Sequence, residues 1–197
     1  MRDNAGMSVP CYSSRFDEAL GLAAAAFRDR RRKGTEIPYV AHLLQVAVWV
    51  AEGGGDEEQL IAAVLHDYLE DIEGSSAAEL RTRFGERVTR LVEALSDTTV
   101  RPKPPWRERK ERYLAHLRAA PAEVKLISAC DKLHNARSIL RDLGLVGDEV
   151  WARFSATKGD TLWYYREVAG ALAHEFDHPV VREVDEAVRA LVRAAKV

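Results

Sequence analysis

Seven residues, Leu65-His66-Asp67-Tyr68-Leu69-Glu70-Asp71, constrain this chain more than any other stretch. They close an apolar run in which Ile61, Val64, Leu65, Tyr68 and Leu69 recur at helical spacing, so one face belongs in a core. The same residues carry one imidazole and three carboxylates. On a helix His66 and Asp67 diverge by roughly 100° and flank one point, while Glu70 and Asp71 return to the same rim one turn later. Carboxylates gathered against a core are costly unless a cation compensates them. A divalent metal is the natural partner, and the rest of the chain must then supply further ligands.

Helical punctuation runs along the whole sequence. Ser14 with Asp17 resembles a capping box, opening a helix through Phe16, Leu20, Ala23 and Phe27 into the basic run Arg28 to Lys33, with Gly34 as its C-cap. Pro38 suits a first helical position, and Tyr39, Leu43, Val46, Ala47 and Val50 mark a second helix, stopped by Gly53-Gly54-Gly55. Asp56 with Gln59 starts the third helix, which carries the 65–71 stretch. Ser76 with Glu79 opens a short helix to Phe84, and Gly85 separates it from one holding Val88, Leu91, Val92 and Leu95. Residues 97–105, with Pro102, Pro104 and Pro105, read as a loop, and Trp106 to Ala119 as a charged helix. Pro121 opens a strongly periodic helix that Gly144 and Gly147 end; Asp148–Ser155, Asp160–Phe176 and a final segment from Pro179 complete the pattern. No stretch alternates strictly between hairpin turns. The expected fold is all-α, one compact bundle of roughly eight to ten helices spanning residues 1–197 as a single domain.

The net charge of -2 leaves no general electrostatic footprint for nucleic acid or a membrane surface. No apolar run reaches the length of a membrane span, and the N-terminus lacks the apolar segment of a signal peptide. Two cysteines, Cys11 and Cys130, cannot build a disulfide framework, which fits a cytoplasmic protein. The final helix, apolar at Val180, Val184, Val188, Leu191 and Val192, could pack on its own core or on a second copy, leaving a homo-oligomer open.

The metal ligands are sought first at His42, His66, Asp67 and Asp131, which come from three separate predicted helices. Two imidazoles and two carboxylates suit a borderline or hard ion with open water positions, such as Mn²⁺, better than a closed structural zinc site. The plainer alternative makes His42 a helix-face histidine and Asp131 a solvated carboxylate, and the residues alone leave both open. His134 reads as packing near the site and Cys130 as a small core residue. Trp106, Trp151, Trp163, Tyr164 and Tyr165 read as core or rim packing. His174-Glu175-Phe176-Asp177-His178 spells the H-E-x-x-H pattern of zinc proteases, but Pro179 pushes His178 out of helical conformation, so the match is coincidence.

Three ordered motifs sharpen this. Arg-Arg-Lys-Gly-Thr-Glu-Ile-Pro-Tyr-Val-Ala-His (31–42), His-Asp-Tyr-Leu-Glu-Asp (66–71) and Asp-Lys-Leu-His-Asn-Ala-Arg (131–137) resemble, among HD-domain phosphohydrolases, the guanosine polyphosphate 3′-pyrophosphohydrolases. These are the hydrolase domains of the RelA/SpoT family and the stand-alone small alarmone hydrolases. Phe84-Gly85, Leu91-Val92 and Arg109-Lys110 also fall where that family places them, and the resemblance covers about residues 15–176. It implies that His42, His66, Asp67 and Asp131 hold Mn²⁺ and that Glu70 and Asp71 orient or deprotonate the attacking water. It further implies that Arg32 and Lys33 turn inward to line the substrate site, that Asn135 contacts the nucleoside and that Ser138 lies nearby. The implied reaction is removal of the 3′-diphosphate of (p)ppGpp as pyrophosphate, without a following synthetase domain. Another nucleotide such as NADPH, or a non-catalytic nucleotide-sensing role, are the alternatives. The chain departs from the family pattern at Phe27, Leu43, the bulky Tyr68-Leu69 pair and the loop 98–105. Tyr68 is the departure expected to reshape the pocket beside the acid pair.

Overall fold

Short polar side chains cap four of the helices, because the first N–H groups of a helix lack internal partners. In the computed structural model, which describes residues 12–100 and 102–195, Asp56 and Gln59 form a reciprocal capping box at 3.0 Å in both directions. Ser76 accepts from the Glu79 N–H at 3.1 Å, and Pro179 stands in the first turn of the last helix. The first cap is Ser13 rather than Ser14; its hydroxyl accepts from Arg15 N and donates to Glu57. Cys11 and the polar lead-in before it lie outside the described residues.

These starts give α1 (Ser14–Ala26), α2 (Val40–Glu52), α3 (Glu57–Leu65), α4 (Tyr68–Asp71), α5 (Ala77–Leu95), α6 (Trp106–Ala119), α7 (Ala122–Val146), a 3-10 helix (Gly147–Arg153), α8 (Lys158–Ala173) and α9 (Pro179–Ala194). Among the described residues there is no strand, only one antiparallel bridge between Arg31 and Pro38, and the all-α expectation holds. Helix α7 runs through the middle. Its buried residues, from Val124 through Ile127, Cys130, Leu133 and Ala136 to Leu143, occupy too much of its circumference for a single stripe, and it packs against α2, α3, α5, α8 and α9. Gly144 lies inside it; Gly147, at φ 60°, ends it alone. The apolar face of α9 (Val180, Val184, Val188, Leu191) is buried against α7 and α8, so it packs on its own core. Among the described residues no helix is long and apolar enough to cross a membrane.

Four boundaries differ from the sequence reading. The chain leaves α1 at Phe27, so the basic run is not a helix end. Phe27 is buried and stacks on Tyr39, ring centroids 5.1 Å apart at 12°, which turns the chain back on itself. Backbone bonds from Arg32 N to the Ile37 carbonyl and from Tyr39 N to the Arg30 carbonyl, both 2.9 Å, tie the resulting loop. Gly34 is at its tip with φ 67°, where a Cβ would collide with the Arg153 side chain. Gly85 does break the helical path as expected, at φ 85° and ψ 175°, although the two halves run on as α5. The segment after Gly147 is a 3-10 turn instead of an α-helix. Finally, α8 stops at Ala173, with His174 extended and Glu175 at φ 52°. His178 is thereby off any helix: its Nδ1 caps Val180 N and its Nε2 lies 3.2 Å from the Gly53 carbonyl. The two histidines of the H-E-x-x-H string share no face.

Candidate metal centre and active-site cleft

The 65–71 stretch, read above as one helix, is two. His66 keeps helical angles (φ −57°, ψ −32°), Asp67 departs from them (φ −94°, ψ 1°), and α4 begins anew at Tyr68. This kink lets two consecutive side chains converge where a straight helix would splay them. His66 Nε2 and Asp67 Oδ2 are 3.0 Å apart. From α2, His42 Nε2 lies 3.8 Å from Asp67 Oδ2; from α7, Asp131 Oδ1 lies 3.2 Å from His42 Nε2 and 3.7 Å from His66 Nε2.

Both Nε2 atoms are buried and have no hydrogen-bond partner. Such orphaned groups are rare in a folded interior, and these two point at one place. One ligand atom from each of His42, His66 and Asp67 lies within 4.8 Å of the others, and Asp131 closes the set. The residues fit a divalent cation: two imidazole nitrogens without hydrogen-bond partners and two carboxylate oxygens, each braced from behind. His66 Nδ1 donates to the Ala63 carbonyl at 2.7 Å, and His42 Nδ1 lies 2.7 Å from His134 Nδ1. Asp67 accepts from Tyr39 OH at 2.6 Å; Asp131 accepts from Asn135 at 2.5 Å and from the Lys132 ammonium. Outer partners of this kind fix ligand orientation.

Electrostatics agree. Burial opposes ionisation of Asp67, yet His66 beside it holds its carboxyl well below the usual range. Asp131 is held down against the same burial by Lys132 and His42. Burial also acts against the His66 cation, but Asp67 and Asp131 raise its pKa to about 9. A divalent ion would replace that proton, since ligands bind deprotonated. Burial lowers His42, and burial with the neighbouring His42 and Arg32 lowers His134 to about 4.

Above the donors opens a cleft of about 420 Å³. Asp67, Asp131, Glu70, Asp71, Arg32, Lys33, Asn135 and Ser138 all line it, while His42 and His66 lie behind the two aspartates and do not reach its wall. Glu70 is gripped at both oxygens, by Lys103 Nζ at 2.9 Å and by Asp97 N at 3.2 Å. Asp71 has a looser contact, 3.7 Å from Lys103 Nζ. Burial, then the charges of Asp67 and Glu70, push its carboxyl above the usual range. Arg32 donates to Asn135 Oδ1 at 2.5 Å and lies 5.6 Å over the Tyr39 ring, which links the first motif to the third.

Several cleft residues escaped the sequence reading. Lys103, Lys132, Arg141 and Arg153 add positive charge to the walls, and Trp106, Tyr164 and Tyr165 belong to them rather than to packing alone. The stripe Asp131, Asn135, Ser138, Asp142 along α7 was a usable signal, because those spacings return to one helix face and all four reach the cleft. Tyr68 is the clear correction. Its ring is buried and its hydroxyl donates to Glu79 at 3.0 Å, facing α5 and away from the cleft. Cys130 is core, its thiol pushed up to about 12 by burial and by Asp131.

A helical scaffold that aims bare imidazoles and carboxylates at one point below a cationic cleft is built for phosphate-ester or anhydride hydrolysis with a bound divalent ion. The chain belongs to the HD-domain family, whose model matches residues 19–162. It is 36% identical over 138 residues to the guanosine-3′,5′-bis(diphosphate) 3′-pyrophosphohydrolase MESH1 of Xenopus tropicalis, covering 68% of this chain and 73% of that protein. To the guanosine-3′,5′-bis(diphosphate) 3′-pyrophosphohydrolase of Aquifex aeolicus it is 34% identical over 130 residues, 66% of this chain and 18% of the relative. The fold is also similar to a solved metazoan ortholog of SpoT that hydrolyzes ppGpp, with a TM-score of 0.75, 28% identity, and coverage of 92% of this chain and 97% of the other.

Proposed function

We propose that this chain is a guanosine polyphosphate hydrolase that removes the 3′-diphosphate of ppGpp or pppGpp as pyrophosphate, leaving GDP or GTP. The observation that carries the reading is the pair of orphaned, buried Nε2 atoms facing two carboxylates beneath a cleft walled by Arg and Lys. Similarity to relatives bearing that activity along most of their length supports it. We assign His42, His66, Asp67 and Asp131 as the ligands and Mn²⁺ as the ion, which suits a mixed imidazole and carboxylate set. Once bound, the ion supplies an acidified water and offsets charge on the phosphoryl oxygens.

The chain's own residues do the rest. Asp71, its pKa raised, is placed to take the proton of the attacking water, because a base works best with a pKa near the working pH. Glu70, held by Lys103 and the Asp97 N–H, orients that water. Arg32, Lys33, Lys103 and Arg153 neutralise the diphosphates, Arg able to grip them with two parallel bonds. Asn135 and Ser138 meet the nucleoside. The helices act as one catalytic unit, in keeping with a nucleotide enzyme of the cytoplasm that contacts neither nucleic acid nor membrane.

Purified protein with Mn²⁺ should release pyrophosphate from ppGpp and pppGpp, followed by ion chromatography. Phosphate released from NADPH alone would instead assign a different nucleotide to the same site, and no turnover of any of the three would refute the enzymatic reading.

A further inference from the structure

The two imidazoles of the centre are braced by different kinds of partner. His66 Nδ1 faces the Ala63 carbonyl at 2.7 Å. A carbonyl only accepts, so His66 keeps a proton on Nδ1, and Nε2 is the atom that gives up its proton to an ion. His42 Nδ1 faces His134 Nδ1 at 2.7 Å, and a ring nitrogen can either donate or accept. One of the two must carry the proton between them. If it were His134, neutral His42 would hold its proton on Nε2, the atom the metal needs. That proton would have no use in the fold: Asp131 Oδ1, although 3.2 Å away, lies off the N–H direction, and Nε2 has no hydrogen-bond partner. Leaving a buried N–H unpaired is costly. With the proton on His42 Nδ1 the strong short bond is kept and Nε2 is a bare lone pair.

His134 itself is held between two aromatic rings. It sits one turn after Asp131 on α7, its ring centroid 4.8 Å from that of His42 and 5.9 Å from that of Trp49. It therefore comes from the same helix that delivers the carboxylate facing His42, so α7 sets both sides of that imidazole.

We propose that His134 is a positioning residue: its Nδ1 accepts the His42 Nδ1 proton and so fixes the tautomer that turns His42 Nε2 toward the divalent ion. This rests on the metal-centre reading above but not on which nucleotide is cleaved. In metal-free protein, ¹⁵N-detected NMR should find His42 protonated on Nδ1. In His134→Phe, which keeps the ring and removes the acceptor, a substantial Nε2-protonated fraction should appear. Calorimetric Mn²⁺ affinity should drop about 10- to 100-fold. In His134→Gln, whose carbonyl can accept, both should recover at least in part, and near-ultraviolet circular dichroism should report native packing in both variants.

An Nε2-protonated His42 in the wild type, or a His134→Phe protein with wild-type Mn²⁺ affinity, would overturn the inference while leaving hydrolysis of ppGpp intact. If Mn²⁺ affinity follows His134 in this way but ppGpp is not cleaved, the functional reading fails and the inference stands.

Discussion

The proposed metal donors sit on α2, on the α3–α4 turn and on α7, each packed into the core and braced by a partner fixed in the fold. Glu70 and Asp71 sit on a four-residue helix and pair at the rim with Lys103 of the Pro-rich segment, while Arg32 and Lys33 come from the 27–39 loop. The first arrangement resists salt and tolerates little change, since a removed partner leaves a buried polar group unmatched. The second is partly hydrated and screened, so single charges there matter less to stability and more to where a substrate's charge comes to rest. On the proposed reading, binding the ion and handling the nucleotide are physically separable within one site.

The largest way to sharpen that division is Asp67→Ala. It removes a proposed ligand and the acceptor of Tyr39 OH together. Mn²⁺ binding should vanish in calorimetry, and turnover should fall by at least about a thousandfold, the equivalent of several kcal/mol of lost charge stabilisation. Glu70→Gln and Asp71→Asn should behave differently. Metal affinity should stay within a few-fold of wild type while kcat drops roughly 10²- to 10⁴-fold, the usual contribution of a positioned acid or base. If either variant lost the metal as Asp67→Ala does, the two regions would be one.

Lys103→Gln tests the rim itself. Asp71 must be ionised to accept a proton, and its raised pKa means that activity climbs with pH through that value. Lys103 pulls that pKa down, against burial and the charges of Asp67 and Glu70. Removing the ammonium should therefore move the acid limb of the kcat profile to higher pH. A displacement of about one unit corresponds to about a tenfold loss of rate below the limb. An acid limb that stays in place, or moves to lower pH, would take Asp71 out of the role of base.

The same division explains what the residues disclosed in advance. The helix starts were legible because caps are local chemistry: Asp56 with Gln59 and Ser76 with Glu79 need no knowledge of the rest of the chain. The proposed donors were only half legible: the residues alone left His42 open as a helix-face histidine and Asp131 as a solvated carboxylate, and the three ordered motifs favoured them as ligands. The end of α1 was hidden, since cations favour helix C-termini and the basic run satisfied that rule. What overrode it was a tertiary contact, the stacking of Phe27 on Tyr39. The kink at Asp67 was hidden too, because Tyr68 and Leu69 continue the apolar period across it. The cleft cations were the least legible: among 29 Lys and Arg residues most are solvated, and only the folded path brings Lys103 and Arg153 onto one cleft.

Tyr68 gives the smallest effect and the cleanest boundary to the site. From sequence it stood between the ligands and the acids and was expected to shape the pocket. In the fold it belongs to neither region, since the kink turns it toward α5, where its hydroxyl meets a half-buried Glu79. Tyr68→Phe keeps the buried ring and deletes one hydrogen bond. The cost should be about 0.5–1 kcal/mol, toward the low end because Glu79 keeps access to water, and is read as a lower urea midpoint at unchanged m-value. The ratio of kcat/KM for ppGpp to that for NADPH should not move. A change in that ratio without a change in stability would return Tyr68 to the cleft and redraw the wall beside Glu70.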